Sequence, residues 1–306
     1  MAVNKMIYGI DIGGTKIEIT VFDENMQQKD NWRINTPTDC YQEFISAISD
    51  MIFEADGKFK LKGKVGIGMP GLSDQNGLSL SANISIANGQ NVAKDLEDRI
   101  HRKVLCENDC RCFALSEANG GAGYGYKSVY CAIIGTGAAG GYVVNNEIVL
   151  GRQKIAGEYG HLQLPADLKE KYDLPLRQCG CGLPNCYESY VSGPGIEFIY
   201  SHITGKNSKV PDIVKEWRTQ SKEALKVFDC YMDILGSCFS NIILNYDPHA
   251  IILGGGISLI DEIVEGLAVN INSHLFKGFS APPIYKAKFG DASGARGAAL
   301  LAMGKD

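Results

Sequence analysis

Met6-Ile-Tyr-Gly-Ile-Asp11-Ile-Gly-Gly-Thr-Lys16-Ile-Glu-Ile-Thr-Val-Phe22 decides the fold class. It reads as strand, glycine turn, strand: an apolar run, a corner at Gly13 and Gly14, then period-two alternation from Ile17 onward. The pattern returns at 129–144, where Val-Tyr-Cys-Ala-Ile-Ile precedes Gly135-Thr-Gly-Ala-Ala-Gly-Gly141 and Tyr-Val-Val follows. Each half of the chain thus opens with a glycine-cornered hairpin. Between and after them the spacing predicts helices at roughly 41–56, 92–101, 110–119, 222–245 and 258–271, with strands at 65–69, 103–105 and 250–253. Alternation of this kind argues for α/β domains.

Two Gly/Thr hairpins suit a polyphosphate held between two domains, because glycine lets backbone approach the anion and the turn amides point at it. Asp11 is placed to position Mg²⁺ through water, and the Thr15 and Thr136 hydroxyls to donate to phosphate oxygens. Either hairpin alone reads first as an ordinary glycine turn; the pair carries the expectation. Gly254-Gly255-Gly256 follows an apolar strand and precedes a helical segment, so it is read either as backbone packed against a purine or as a plain strand-to-helix turn. Residues 135–140 also match the dinucleotide fingerprint, which needs a helix next. The β-like run Tyr-Val-Val-Asn-Asn-Glu-Ile-Val follows instead, which argues against a Rossmann dehydrogenase.

Gly157-Glu-Tyr-Gly-His161 and Cys179-Gly-Cys-Gly-Leu-Pro-Asn-Cys186-Tyr-Glu188 supply three thiolates and one imidazole. Structural Zn²⁺ takes four tetrahedral N/S ligands, a number that His161, Cys179, Cys181 and Cys186 fill. Glu158 and Glu188 stand beside these ligands and are left for a substrate. The cysteines at 40, 106, 110, 112, 131, 230 and 238 have no ligand-like rhythm and read as small core residues of a reducing compartment.

Cys106-Glu-Asn-Asp-Cys110 joins a strand to a helical pattern. An Asp there is a natural helix cap, yet a strand end in an α/β domain is also where catalytic groups gather, so both readings of Asn108 and Asp109 stay open.

The 306 residues allow two domains, and a net charge of −5 leaves no electrostatic footprint for nucleic acid. The N-terminus shows no signal-peptide core, and no apolar run approaches the ~18 residues of a membrane span. A cytoplasmic protein without nucleic-acid or membrane partners is expected; a homodimer is allowed, and nothing in the sequence fixes the oligomer.

Asp11-Ile-Gly-Gly-Thr-Lys16, Glu107-Asn-Asp109, Gly135-Thr-Gly137, the Gly-Glu-x-Gly-His segment and the cysteine cluster follow the order of the ROK family of sugar kinases and sugar-responsive repressors, which the whole chain resembles. The resemblance implies two actin-like (ribonuclease H-like) α/β domains with a cleft between them. The smaller would take 1–118 plus about 291–306, with the phosphate hairpin and catalytic Asp; the larger would take 119–290, with the second hairpin, zinc site and sugar-binding loop. It further implies Asp109 as general base, with Asn83, Asn108, Asp109, Glu158, His161 and Glu188 binding sugar. Asp11, Gly13, Gly14, Thr15, Lys16, Gly135, Thr136, Gly137, Gly140 and Gly141 would hold ATP phosphates, with Gly254, Gly255 and Gly256 near the adenosine.

The implied activity is ATP-dependent phosphorylation of N-acetylglucosamine at its 6-hydroxyl, with Mg²⁺ and structural Zn²⁺. The loop 82–89 resembles that of family members acting on this sugar and lacks the Trp of many family glucokinases. Glucokinase or other hexose kinase activity is the alternative. A non-enzymatic sugar sensor of the same fold could dispense with Asp109 and the Asp11 turn, and both are present. The family's repressors carry an N-terminal helix-turn-helix, whereas here the phosphate hairpin starts almost at once. Two departures from the family pattern stand out: Asn185 where glycine usually precedes the third zinc cysteine, and Ala139 within the usual glycine run. Because Asn tolerates left-handed backbone better than Ala, any irregularity is expected at the Ala139 hairpin.

Overall fold

The structure, a computed structural model, describes residues 5–304. They form two compact units. The first takes the chain up to Tyr124, Gly141–Ala156 and the segment from Phe289 onward; the second takes Gly125–Gly140 and Gly157–Lys288. In chain order come β1 (Ile7–Ile12), β2 (Lys16–Phe22), β3 (Gln28–Asn35), α1 (Tyr41–Phe59), β4 (Lys64–Met69), the short pair β5 (Leu72–Ser73) and β6 (Ser79–Leu80), α2 (Val92–Ile100), β7 (Val104–Asn108) and α3 (Asp109–Ala118). There follow β8 (Ser128–Ile134), β9 (Ala138–Val144), β10 (Glu147–Ile148), α4 (Ala166–Lys171), α5 (Glu188–Val191), α6 (Gly193–Thr204), α7 (Val210–Arg218) and α8 (Lys222–Tyr246). β11 (Ala250–Gly254), α9 (Asp261–Asn272), β12 (Ile284–Lys286) and α10 (Ser293–Met303) complete the order.

One sheet runs β3-β2-β1-β4-β7 and the other β10-β9-β8-β11-β12. In the first, β1, β2 and β3 make an antiparallel meander, and β4 and β7 join in parallel. The second repeats the plan: β8 and β9 form a hairpin, β10 returns antiparallel, and β11 and β12 are parallel. The two glycine-cornered hairpins of the sequence therefore hold corresponding places in one twice-used actin-like plan.

Burial explains the strand types. β1, Ile-Tyr-Gly-Ile-Asp-Ile, lies between antiparallel β2 and parallel β4 and is buried at every residue but Asp11, as a central strand covered on both faces requires. β3 alternates between exposed and half-buried residues, the mark of an edge. α1 buries Phe44, Ile45, Ile48, Met51, Ile52 and Ala55 in the core of this sheet, at helical spacing. Truncating one such residue, Ile52→Ala, would cost about 2–5 kcal/mol. On α10 the small residues Ala295, Ala298, Ala299 and Ala302 are buried. Gly9 and Gly66, register partners in β1 and β4, face that helix, and a β-carbon on either would overlap the carbonyl oxygen of Ala295 or Ala298.

The helix expected at 41–56 continues to Phe59 and ends on Lys60, whose left-handed φ of 53° closes it. The one expected at 258–271 splits into a 3-10 turn, Gly256–Leu259, and α9. The strand expected at 103–105 runs on to Asn108. Of the cysteines read as core, 110, 112, 131, 230 and 238 are buried, whereas Cys40 is exposed and Cys106 only half-buried. Cys40 immediately precedes α1, outside its apolar face. Among the described residues one helix, α8, is long and apolar enough to cross a membrane, and 67% of its apolar window is buried inside the protein.

Candidate active site

In the first unit, Gly13, Gly14 and Thr15 make the corner between β1 and β2. The Gly13 N–H donates to the Lys16 carbonyl at 2.8 Å, and the Thr36 hydroxyl donates to the Gly13 carbonyl at 2.7 Å. Gly14 lies against the exposed Asn83, whose carbonyl oxygen would stand 3.1 Å from a β-carbon at that position. Thr15 and Lys16 are exposed, and Asp11 is half-buried where β1 ends.

Asn108, at the end of β7, is the cap of α3: its Oδ1 accepts from the N–H groups of Cys110 at 3.0 Å and Arg111 at 3.3 Å, and its Nδ2 donates to the Gly71 carbonyl at 2.9 Å. The capping alternative therefore falls to Asn108. Asp109 is the first helical residue, and its carboxylate accepts from the adjacent Cys110 N–H at 2.9 Å. Burial lifts Asp109 above the ordinary carboxylate range, against the pull of that N–H and of Arg111. Asp11 rises to about 7, first through burial, then through the charges of Asp109 and Glu18, while Arg33 acts the other way. Carboxylates so opposed suit a site that receives a cation with its anionic ligand.

In the second unit, the Gly157–His161 motif is folded onto the β8–β9 hairpin. The Gly157 carbonyl accepts from the Tyr130 hydroxyl at 2.9 Å, and the Tyr159 hydroxyl donates to the Ile133 carbonyl at 3.1 Å. Gly160 meets the Ala138 carbonyl so closely that a β-carbon would overlap it. Glu158 and His161 flank this contact, both half-buried.

The ligand atoms of His161, Cys179, Cys181 and Cys186 lie within 4.8 Å of one another. Cys181 Sγ is 3.6 Å from Cys186 Sγ, and His161 Nδ1 is 3.7 Å from Cys179 Sγ. A tetrahedron with metal–sulfur bonds of about 2.3 Å has edges near ~3.8 Å, so the cluster fits a tetrahedral ion held through Nδ1, with Nε2 on the opposite side of the ring. Asn185 takes a left-handed φ of 64°, as the glycine it replaces could. It also does what glycine cannot: its Nδ2 donates to the Leu164 carbonyl at 3.0 Å, and its Oδ1 accepts from the Tyr190 hydroxyl at 2.8 Å. Ala139, where irregularity was expected, lies within β9 and has no positive φ.

Glu188 joins the metal loop to the hairpin. One carboxylate oxygen accepts from the Ala138 N–H at 2.9 Å and the other lies 3.5 Å from Cys179 Sγ. Gly140 and Gly141, expected in the turn, are instead buried inside β9, which leaves Gly135, Thr136 and Gly137 at the corner. A β-carbon on Gly135 would stand 4.0 Å from the Gly256 nitrogen, so two of the three glycine clusters meet within this unit. Gly255 has a φ of 80°, while Gly254 is the buried end of β11.

Sequence reasoning missed two buried ionic groups of the first unit, Arg111 and Glu117. Arg111 pairs with Glu107 at 2.8 Å. Glu117, wholly buried, accepts from the Ser293 hydroxyl at 2.7 Å, the Phe289 N–H at 3.0 Å and the Ala122 N–H at 2.9 Å. The only available signal was charge at core-facing helical positions, which burial alone makes meaningful.

The sequence matches the ROK family model over residues 7–305. It is 43% identical over 301 residues to an N-acetylgalactosamine kinase of Shewanella sp. (strain ANA-3), covering 98% of each chain. It is 42% identical over 299 residues to an N-acetyl-D-glucosamine kinase of Pectobacterium carotovorum subsp. carotovorum, covering 97% of this chain and 98% of the relative. Among solved structures, a ROK family glucokinase from Streptomyces griseus in complex with glucose and AMPPNP superposes with a TM-score of 0.76 at 25% identity, covering 98% of this chain and 99% of that one.

Proposed function

Because this chain belongs to the ROK family, we propose that it is an ATP-dependent sugar kinase that transfers a phosphoryl group to the 6-hydroxyl of N-acetylglucosamine, giving the 6-phosphate and ADP. The observation that carries this reading is likeness over almost the whole chain to kinases of N-acetylated hexosamines, at 42% identity for the Pectobacterium N-acetyl-D-glucosamine kinase. The site residues add the chemistry.

Asp109, at the start of α3, accepts the proton of the 6-hydroxyl as that oxygen attacks the γ-phosphorus, a role worth roughly 10²–10⁴-fold. Asn108, fixed by its capping bonds, Asn83, Glu158, His161 through Nε2, and Glu188 bind the sugar. The corners Asp11–Lys16 and Gly135–Gly137 hold the ATP phosphates, and Gly255 and Gly256 lie near the adenosine. Mg²⁺ would be held from Asp11 and would offset charge gathering on the transferred phosphoryl group. His161, Cys179, Cys181 and Cys186 would hold a structural Zn²⁺, which would pin the loop carrying Glu188. The proposed domains are 1–118 with about 291–306, and 119–290.

A second sugar is favoured by one observation, the N-acetylgalactosamine kinase relative at 43% identity. The two amino sugars differ only in the configuration at C4, and both carry the acetamido group that the Trp-free loop 82–89 would admit. Burial of its methyl is worth roughly 1 kcal/mol, more if the amide is paired, so glucose should trail by about ten- to a hundredfold. ADP release measured with N-acetylglucosamine, N-acetylgalactosamine and glucose tests the assignment: kcat/KM is expected to be highest for N-acetylglucosamine. A higher value for N-acetylgalactosamine would move the substrate to its epimer, one for glucose to a general hexose kinase, and no turnover of any sugar would remove the kinase.

A further inference from the structure

Arg111 is the bulkiest of the fully buried side chains among the described residues, 1% exposed. Its guanidinium reaches Glu107 and the backbone of a segment far along the chain. Nη1 pairs with Glu107 at 2.8 Å, Nη2 donates to the Lys154 carbonyl at 2.7 Å, and Nε donates to the Ala156 carbonyl at 3.4 Å. Glu107 also accepts from the N–H of Asn108 at 2.9 Å, the residue that caps α3 in front of Asp109. Lys154 holds a left-handed φ of 54°, a conformation that a non-glycine residue keeps where its surroundings fix it. Two residues beyond Ala156 the chain reaches Glu158.

We propose that Arg111 is a positioning residue of the phosphoryl transfer: it staples segment 154–156, which leads in sequence to Glu158, to the first turn of α3, so that this segment and the turn bearing Asp109 are held together within the first unit. The role rests on the kinase reading above. Stability alone does not explain a buried arginine here, because well-packed apolar side chains replace buried ion pairs at little or no cost. A planar fork, by contrast, can hold a carboxylate and two carbonyls of a distant segment at once, which neither lysine nor an apolar residue can do. Small displacements of groups that grip a substrate are costly in rate, which gives such a staple its value.

The test is Arg111→Lys, which keeps the charge and loses the fork, assayed in the full-length protein by steady-state kinetics and by amide hydrogen exchange without ligands. Loss of a charge-assisted hydrogen bond predicts a sugar KM raised about tenfold or more, with the ATP KM within about twofold of wild type. Exchange over residues 152–158 should quicken by about tenfold, while the remainder of α3 keeps its protection. Unchanged exchange in this segment, or sugar and ATP KM values rising together, would overturn the proposal. So would a variant that loses thermal stability while keeping both KM values. If Arg111→Lys does not fold, Glu107→Gln, which retains the arginine and weakens one arm, should show the same exchange change in smaller measure, and no change there counts equally against the staple. A wild-type protein that turns over no sugar would defeat the kinase reading, whereas the exchange measurement judges the staple separately.

Discussion

Gly160 and Ala138 touch backbone to backbone, with the Ala138 carbonyl oxygen occupying the place where any other residue at 160 would carry its β-carbon. The contact sets the Glu158–His161 turn on the β8–β9 hairpin. Gly160→Ala should therefore cost about 1–3 kcal/mol, as overpacking does, and raise the sugar KM while metal content stays at the wild-type level. Thermal unfolding, kinetics and metal analysis on one preparation check this; a variant with wild-type Tm and KM would show that the turn yields freely.

Asp109→Asn should still bind sugar and lose turnover, because the amide keeps the shape and cannot take the proton. A kcat reduced by about a hundredfold or more, with sugar binding by calorimetry little changed, is the expected result. Retention of more than about a tenth of kcat would give the base role to another residue.

The raised pKa of Asp11 makes a signed prediction. Its folded value of about 7 lies above the usual 3.8, so the native state keeps a proton that the unfolded chain releases. Stability is then lost as pH rises from about 4, and the cost is complete above about 7. In Mg²⁺-free, ligand-free protein, Asp11→Asn should raise Tm at about pH 8 and change it little near pH 4, while kinase activity falls. An equal Tm shift at both pH values would contradict the assignment.

Cys181 is the exposed cysteine of the candidate metal site. Cys181→Ser should lose the metal and with it sugar affinity, since the loop holding His161 and Glu188 is no longer pinned. Structural zinc supplies an apparent ~10–16 kcal/mol in small finger peptides, but a unit with its own sheet and helices should stay folded without it. Absence of zinc from freshly purified wild type, together with an unchanged sugar KM in the variant, would refute the role.

The hairpins, long amphipathic helices and Cys/His cluster were legible because each writes a short-range signal: alternation across a glycine corner, apolar residues at helical spacing, cysteines with one and then four residues between them. β3 was not, since an edge strand of polar residues has little apolar contrast to alternate. Neither were α4 to α7, several of them too short to develop a period; α5 has four residues. Asn108 and Asp109 were recognised as a pair, but which one caps and which one spares its carboxylate depends on hydrogen bonds, and only geometry divides them. Arg111 went unnoticed for a related reason: it is charged, and the groups that make its burial tolerable include the Lys154 and Ala156 carbonyls, far from it in sequence.

The seating of α10 on Gly9 and Gly66 has a consequence for synthesis. Those strands are made early on the ribosome, and the helix that covers them emerges only after the whole second unit has been translated. The nascent first sheet must wait with one face open while the second unit is translated, so it is exposed to chaperones and to aggregation in the interval. Small residues on both sides of the seam let that late docking succeed, because a helix can settle on bare backbone without first threading side chains past one another.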